Sequence, residues 1–301
     1  MTSSSRQRSV IEDPDLFMAM DDLELVARGV VEGALHGLHR SPYLGFSAEF
    51  DAHREYQPGD DLRHVNWNLW ARTDRLYVKQ FKSDTNLNLY LLLDCSGSMG
   101  CAHGPAPKWR YGARAAAALA YLSLLARDAP GVFLIGGGVR DHVPPKVRPG
   151  QLREVAALLE QAPVHGRSSL AQELDEVLQL CRRRGIVVLI SDLFDETDAI
   201  FRGLNNLRFY GHEVILLQVL DPWEERLPPQ GQYEFRDLET DERLRTDTAA
   251  VGEAVHRDVA LWQHSLQQRC IESGMDWLAT TTRAPLADVL INYLLRRSGM
   301  S

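Results

Sequence analysis

Residues 87–100 read LNLYLLLDCSGSMG, and the passage from Leu87 to Asp94 decides the fold class. A run of apolar residues this short, apolar on both faces, suits a strand buried inside a parallel sheet rather than a surface helix. It ends at Asp94 and is followed by the small polar turn Cys95-Ser96-Gly97-Ser98. In open α/β sheets the loops after the carboxyl ends of the strands line the binding crevice, so this turn is the first place to seek function.

Downstream, strand-like and helix-like segments alternate. KWRYGARAAAALAYLSLLARDA (108–129) is a long Ala/Leu helix, GVFLIGG (131–137) a strand, VRDHVPPKV (139–147) an irregular edge strand and LREVAALLEQA (152–162) a helix. A helix from about Ser169 to Arg183 follows, then the strand IVVLIS (186–191), a helix through Ile200 to Leu207 and the strand EVILLQVL (213–220). The last turn of the pattern is a helix from about Ala249 to Ser273, the strand MDWLAT (275–280) and a helix with Pro285 at its first position. Alternation of this kind predicts a doubly wound, mostly parallel α/β sheet with helices on both faces. Residues 222–247 break the rhythm with Pro-rich and alternating charged sequence, the pattern of an inserted hairpin.

Upstream, residues 1–20 lack periodicity and read as a disordered tail, while Leu23, Val26, Val30, Val31, Ala34 and Leu38 recur at helical spacing. From Tyr43 to Ser83 short alternating segments and the turn Pro58-Gly59-Asp60-Asp61 predict a small β-rich module. The expected organisation is a tail (1–20), a helix with a small β-rich module (21–84), and a large α/β domain (85–301).

With 33 Lys and Arg against 41 Asp and Glu, the net charge of −8 excludes nucleic-acid binding through a bulk basic field. The four cysteines, Cys95, Cys101, Cys181 and Cys270, include no C-x-x-C pair, so their spacing implies neither a disulfide framework nor a zinc site. No apolar stretch reaches the ~20 residues of a membrane span. The expectation is a cytoplasmic protein without a membrane span.

Three loops are rich in small oxygen donors: Asp94-Cys95-Ser96-Gly97-Ser98, Asp192 after IVVLIS, and Gly166-Arg167-Ser168-Ser169. Carboxylate and hydroxyl oxygens without a nearby His or thiolate pair suit a hard cation, Mg²⁺ above all, with Mn²⁺ and Ca²⁺ as the other candidates. The D-x-S-x-S spacing aims one carboxylate and two hydroxyls at a common point, with Gly97 letting the backbone curl between them. The competing structural role is helix capping, which Asp and Ser often serve.

The D-x-S-x-S turn in this setting resembles the metal-ion-dependent adhesion site of von Willebrand factor A-like domains, over roughly residues 85–301. The resemblance implies a metal shell of Asp94, Ser96, Ser98, Ser168 and Asp192, some through water. The second-loop position is a Thr in that family; here Ser168 is favoured and the adjacent Ser169 is the alternative. A second stretch, Arg54-Glu55-Tyr56-Gln57-Pro58-Gly59-Asp60-Asp61-Leu62-Arg63-His64-Val65-Asn66-Trp67 with Ala71-Arg72 and Leu76-Tyr77-Val78-Lys79, resembles the bacterial family called domain of unknown function 58. That resemblance implies an accessory of a MoxR-type AAA+ ATPase and its client protein. The implied role is a non-enzymatic, metal-dependent protein-binding adaptor. Arg54, Arg63, Trp67 and Arg72 around the PGDD turn are either a docking face or structural pairs within the module.

The enzymatic alternative is a serine hydrolase using Ser98, Asp192 and His212, in that chain order. The nucleophile elbow it needs is incomplete, since Ser96 stands where G-x-S-x-G requires its first Gly.

Overall fold

The computed structural model describes residues 22–39, 53–55, 77–79, 87–228 and 230–297. The expected tail, the PGDD turn and the arginine and tryptophan positions 63, 67 and 72 lie outside these residues. The chain forms two compact units, one of residues 1–37 with 87–301 and one of residues 38–86. In the smaller unit, β1 (His53–Glu55) pairs antiparallel with β2 (Tyr77–Lys79), Arg54 opposite Val78.

The larger unit is built on a six-stranded sheet. Its strands are β3 (Asn88–Asp94), β4 (Ala129–Ile135), β5 (Val139–Val143), β6 (Gly185–Ser191), β7 (Glu213–Leu220) and β10 (Asp276–Thr281), in the spatial order β10-β7-β6-β3-β4-β5. All neighbours are parallel except the edge strand β5, which runs antiparallel to β4 with a register irregularity at Leu134/Ile135. The sheet grows in both directions from the first strand, β3, and carries one antiparallel edge. That is the von Willebrand factor A-like architecture.

Burial explains why the strands read as they do. Leu91, Leu92, Leu93 and the whole of β4 are buried, whereas β5 at the edge is half-buried, with Asp141 and His142 exposed. One face of β3 presents Leu91 and Leu93 to α2 (Lys108–Leu125), α3 (Gln151–Glu160) and α8 (Leu286–Arg297). The other presents Tyr90 and Leu92 to α4 (Leu170–Leu180), α5 (Thr197–Phe209) and α7 (Thr248–Glu272). Alanines 113, 115–118 and 120 make the buried face of α2, small side chains that let the helix lie close to the sheet.

Two expectations are corrected. The helix α1 (Leu23–His39) was grouped with the small module, but Leu23, Ala27 and Val31 bury into the core of the α/β unit, and the Leu23 N–H donates to Glu160 Oε1 at 3.1 Å. Apolar periodicity announces a helix face, not the surface that covers it. Pro285 stands just before α8 rather than at its first position, its carbonyl accepting from the Asp288 and Val289 N–H groups. Between β7 and α7 the interrupted region forms a single helical turn, α6 (Pro222–Glu225), and an antiparallel hairpin, β8 (Gln232–Arg236) with β9 (Arg243–Asp247).

A candidate metal-binding crevice at the strand ends

Asp94 is the last residue of β3, aligned with Ile135 of β4, so its carboxylate emerges at the carboxyl edge of the sheet centre. It is nonetheless buried, at 1% exposure. Its Oδ1 accepts the Ser96 N–H at 2.8 Å and its Oδ2 accepts the Ser191 hydroxyl at 2.7 Å. Ser191 Oγ in turn accepts the Leu193 N–H at 2.9 Å, which ties the end of β6 to the end of β3. Burial first, and the neighbouring Asp192 charge second, push the Asp94 carboxyl up to about 7, against the pull of its Ser191 and Ser96 bonds.

Ser96 and Ser98 sit beside it with their hydroxyl oxygens 3.1 Å apart. Adjacent ligands of an octahedral Mg²⁺ lie about 2.9 Å from each other, given Mg–O distances of about 2.0–2.1 Å. The turn therefore presents two hydroxyls at nearly the separation such an ion demands, next to a buried carboxylate that retains a free lone pair on each oxygen.

Gly97 between them has φ −59° and ψ −37°, an ordinary right-handed conformation open to any residue. The expected backbone reason for this glycine is thus replaced by a steric one. A Cβ there would lie 2.7 Å from the carbonyl oxygen of Leu238 and 3.3 Å from Glu239 Cγ, at the tip of the β8–β9 hairpin. The tip closes over the turn and brings Glu239 beside it. Burial first, with the Asp192 and Asp237 charges adding to it, raises the Glu239 carboxyl against the pull of the nearby Ser98 backbone.

Asp192 follows β6 and is buried at 1% exposure. Its Oδ1 accepts the Phe194 N–H at 3.1 Å and its Oδ2 accepts the Lys108 ammonium at 2.7 Å. Lys108 opens α2 with no solvent exposure, also donates to Glu224 Oε1 at 2.5 Å, and lies 4.9 Å from the centroid of the Phe194 ring. Burial alone would lower its pKa, but the Asp192 and Glu224 charges hold it above the ordinary value. Leu193, between these contacts, takes φ +64°, a costly conformation for a branched side chain and one that accumulates at functional sites.

Ser168 is placed differently. The main chain brings its loop to the turn, with the Gly97 N–H on Gly166 C=O at 2.8 Å and the His165 N–H on Cys95 C=O at 3.1 Å. Its hydroxyl, however, bonds Glu173 Oε2 at 3.1 Å, and the Ser169 N–H bonds Oε1 of the same carboxylate at 3.1 Å. Asp94, Ser96 and Ser98 thus share one turn, with Asp192 near enough to act electrostatically on Asp94, while the Ser168 hydroxyl donates to Glu173. Sequence reasoning missed Lys108, Ser191, Glu224 and Glu239. The one available signal was a Lys in the first turn of a helix, where the dipole favours acids.

The hydrolase alternative does not assemble. His212 precedes β7 at the amino end of the sheet, edge-on to the Tyr90 ring with centroids 5.6 Å apart. Asp192 and Ser98 stand at the carboxyl end, the length of a six-residue strand segment away, about 20 Å.

The family model described as "Protein of unknown function DUF58" matches residues 52–264. Uncharacterized protein Rv1480 of Mycobacterium tuberculosis and uncharacterized protein Mb1516 of Mycobacterium bovis are each 32% identical over 295 residues, covering 93% of this chain and 92% of theirs. Among solved structures, the conserved hypothetical protein BatB of Bacteroides thetaiotaomicron is similar with 13% identity and a TM-score of 0.49, over 71% of this chain and 99% of that one. The SpRpn10 VWA domain is similar with 10% identity and a TM-score of 0.43, over 68% and 94%. Among the described residues no helix is long and apolar enough to cross a membrane.

Proposed function

This chain belongs to the DUF58 family of proteins of unknown function, and from that footing we propose that it is a metal-dependent protein-binding adaptor rather than an enzyme. The observation that carries the reading is the pair of hydroxyls of Ser96 and Ser98, 3.1 Å apart beside the buried Asp94 carboxylate. Asp94, Ser96 and Ser98 would hold Mg²⁺, with Asp192 contributing through water because Lys108 already occupies its Oδ2. When bound, the ion supplies positive charge and an open coordination position for an Asp or Glu side chain of a partner. Lys108 fixes the orientation of Asp192, and Ser191 fixes that of Asp94.

The charge balance supports the same reading. Asp94, Asp192, Glu224 and Glu239 crowd the region around one ammonium, Lys108, and burial heads the causes that raise the carboxyl groups of Asp94, Glu224 and Glu239. A divalent cation relieves that imbalance. The partner proposed is a MoxR-type AAA+ ATPase, by family resemblance, acting with its client protein in remodelling or maturation.

Affinity capture from lysate in Mg²⁺ buffer tests the proposal, comparing wild type, Asp94→Asn and wild type in EDTA. An AAA+ ATPase retained by the Mg²⁺-loaded wild type alone supports the adaptor; equal retention in all three removes the metal from the mechanism.

A further inference from the structure

A second cluster of ligand-type side chains lies beyond Glu224. The segment from the 3₁₀ turn Ser98–Gly100 to α2 carries Cys101 and His103, and Asp221 ends the run from β7 into α6. Cys101 Sγ lies 3.4 Å from His103 Nδ1, which lies 3.4 Å from Asp221 Oδ1; ligand atoms of all three residues fall within 4.8 Å of one another. For tetrahedral zinc, with Zn–S about 2.3 Å and Zn–N and Zn–O about 2.0–2.1 Å, neighbouring S and N ligands are separated by about 3.6 Å and neighbouring N and O ligands by about 3.3 Å. Both observed edges match.

The cluster is held rigidly. The Asp221 side chain has no solvent exposure and is fixed by the N–H groups of His103 at 2.7 Å, Gly104 at 3.1 Å and Trp223 at 2.9 Å. The His103 ring stacks on Trp223, centroids 4.2 Å apart and planes within 9°. Gly104 packs so closely that a Cβ would lie 2.2 Å from Thr282 Oγ1. Capping α6 accounts for Asp221 and its backbone bonds. It does not account for an imidazole nitrogen facing both a thiol and a carboxylate oxygen, nor for a ring clamped in that orientation.

We propose that Cys101, His103 and Asp221 form a three-ligand site for Zn²⁺, with the fourth position open toward solvent. The mixture of thiolate, imidazole and carboxylate suits a borderline-soft ion rather than the hard cation assigned to Asp94, Ser96 and Ser98. His103 is 43% exposed, which leaves the ion an entry path. Glu224 is not a ligand, since its Oε1 serves Lys108 and its Oε2 serves the Asp221 N–H. It stands between the two sites as a shared neighbour. A bound ion would pin the segment after the 3₁₀ turn to the end of β7.

The test is a Co²⁺ titration of the full, reduced chain, followed by the thiolate-to-cobalt charge-transfer absorption. Wild type and Asp94→Asn should develop the band and lose it on adding Zn²⁺. Cys101→Ser should show no band, and His103→Ala should weaken metal binding on the order of 100-fold, comparable to or beyond the loss of an outer-shell partner. Circular dichroism of both variants checks that they fold, and the exposed His103 position guards against loss of fold. Absence of the band in reduced wild type overturns the proposal. So does a band that survives in Cys101→Ser, which would place the metal on another cysteine, or affinity unchanged in a folded His103→Ala.

Discussion

The Lys108 ammonium lies 2.7 Å from Asp192 Oδ2, with side-chain exposures of 0% and 2%. An ion pair sealed in this way links the first residue of α2 to the loop after β6, and through Glu224 to the turn α6. It is a cation built into the wall of the crevice, and it decides how much of Asp192 remains for anything else.

Lys108→Met should destabilise the chain by about 3–5 kcal/mol, because it leaves Asp192 buried without its partner. Adding Asp192→Asn should recover part of that loss. Urea denaturation of the single and double variants measures both, and a Lys108→Met chain as stable as wild type would show that the pair contributes nothing.

Gly97→Ala should push the hairpin tip off the turn, since a backbone carbonyl, that of Leu238, lies 2.7 Å from the new Cβ. The expected cost is about 1–3 kcal/mol. Hydrogen exchange should accelerate at residues 237–241, where the hairpin tip rests on the turn. Unchanged exchange there would mean that the hairpin does not rest on the turn.

Without metal, stability should fall as pH rises from about 4 toward 7. The Asp94 carboxyl titrates at 3.8 in the unfolded chain and near 7 in the folded one, so across this window the native state binds more protons, and ionisation favours unfolding. Mg²⁺ needs the ionised form, so its stabilising effect should be larger at pH 8 than at pH 6. Thermal melts at both values, with and without Mg²⁺, give the answer; a Mg²⁺ shift independent of pH would detach the ion from Asp94.

Asp94→Asn keeps the shape while removing the buried charge that faces Asp192. Without Mg²⁺ its melting temperature should rise by a few degrees, a gain of about 1 kcal/mol corresponding to about 2–4 °C in a chain of this size. In Mg²⁺ the order should reverse. A variant that melts below wild type under both conditions would mean that Asp94 serves folding alone.

The sheet was legible in the sequence because its central strands are buried on both faces and read as apolar runs such as LYLLL and VVLI. The positions of Asp94 and Asp192 followed from those runs, each being the first carboxylate at or after a strand end. Other features depend on contacts that join distant parts of the chain. Lys108 meets residues 84 and 116 positions away, and His103 meets Asp221 across 118. Gly97 looked like a turn glycine until the hairpin tip was seen above it. The resemblance implies the Ser168 hydroxyl as a metal ligand, and in the structure that hydroxyl donates its proton to Glu173, five residues further on. Spacing reports which residues share a strand end; it does not report which neighbour each side chain bonds.

The most direct test of the central claim is Mn²⁺ binding, as a paramagnetic probe for Mg²⁺, measured by electron paramagnetic resonance on wild type, Asp94→Asn and Cys101→Ser. The account predicts an Mn²⁺ site competed by Mg²⁺, lost in Asp94→Asn and intact in Cys101→Ser. Mn²⁺ binding that is absent from wild type, or unaltered by Asp94→Asn, would contradict it.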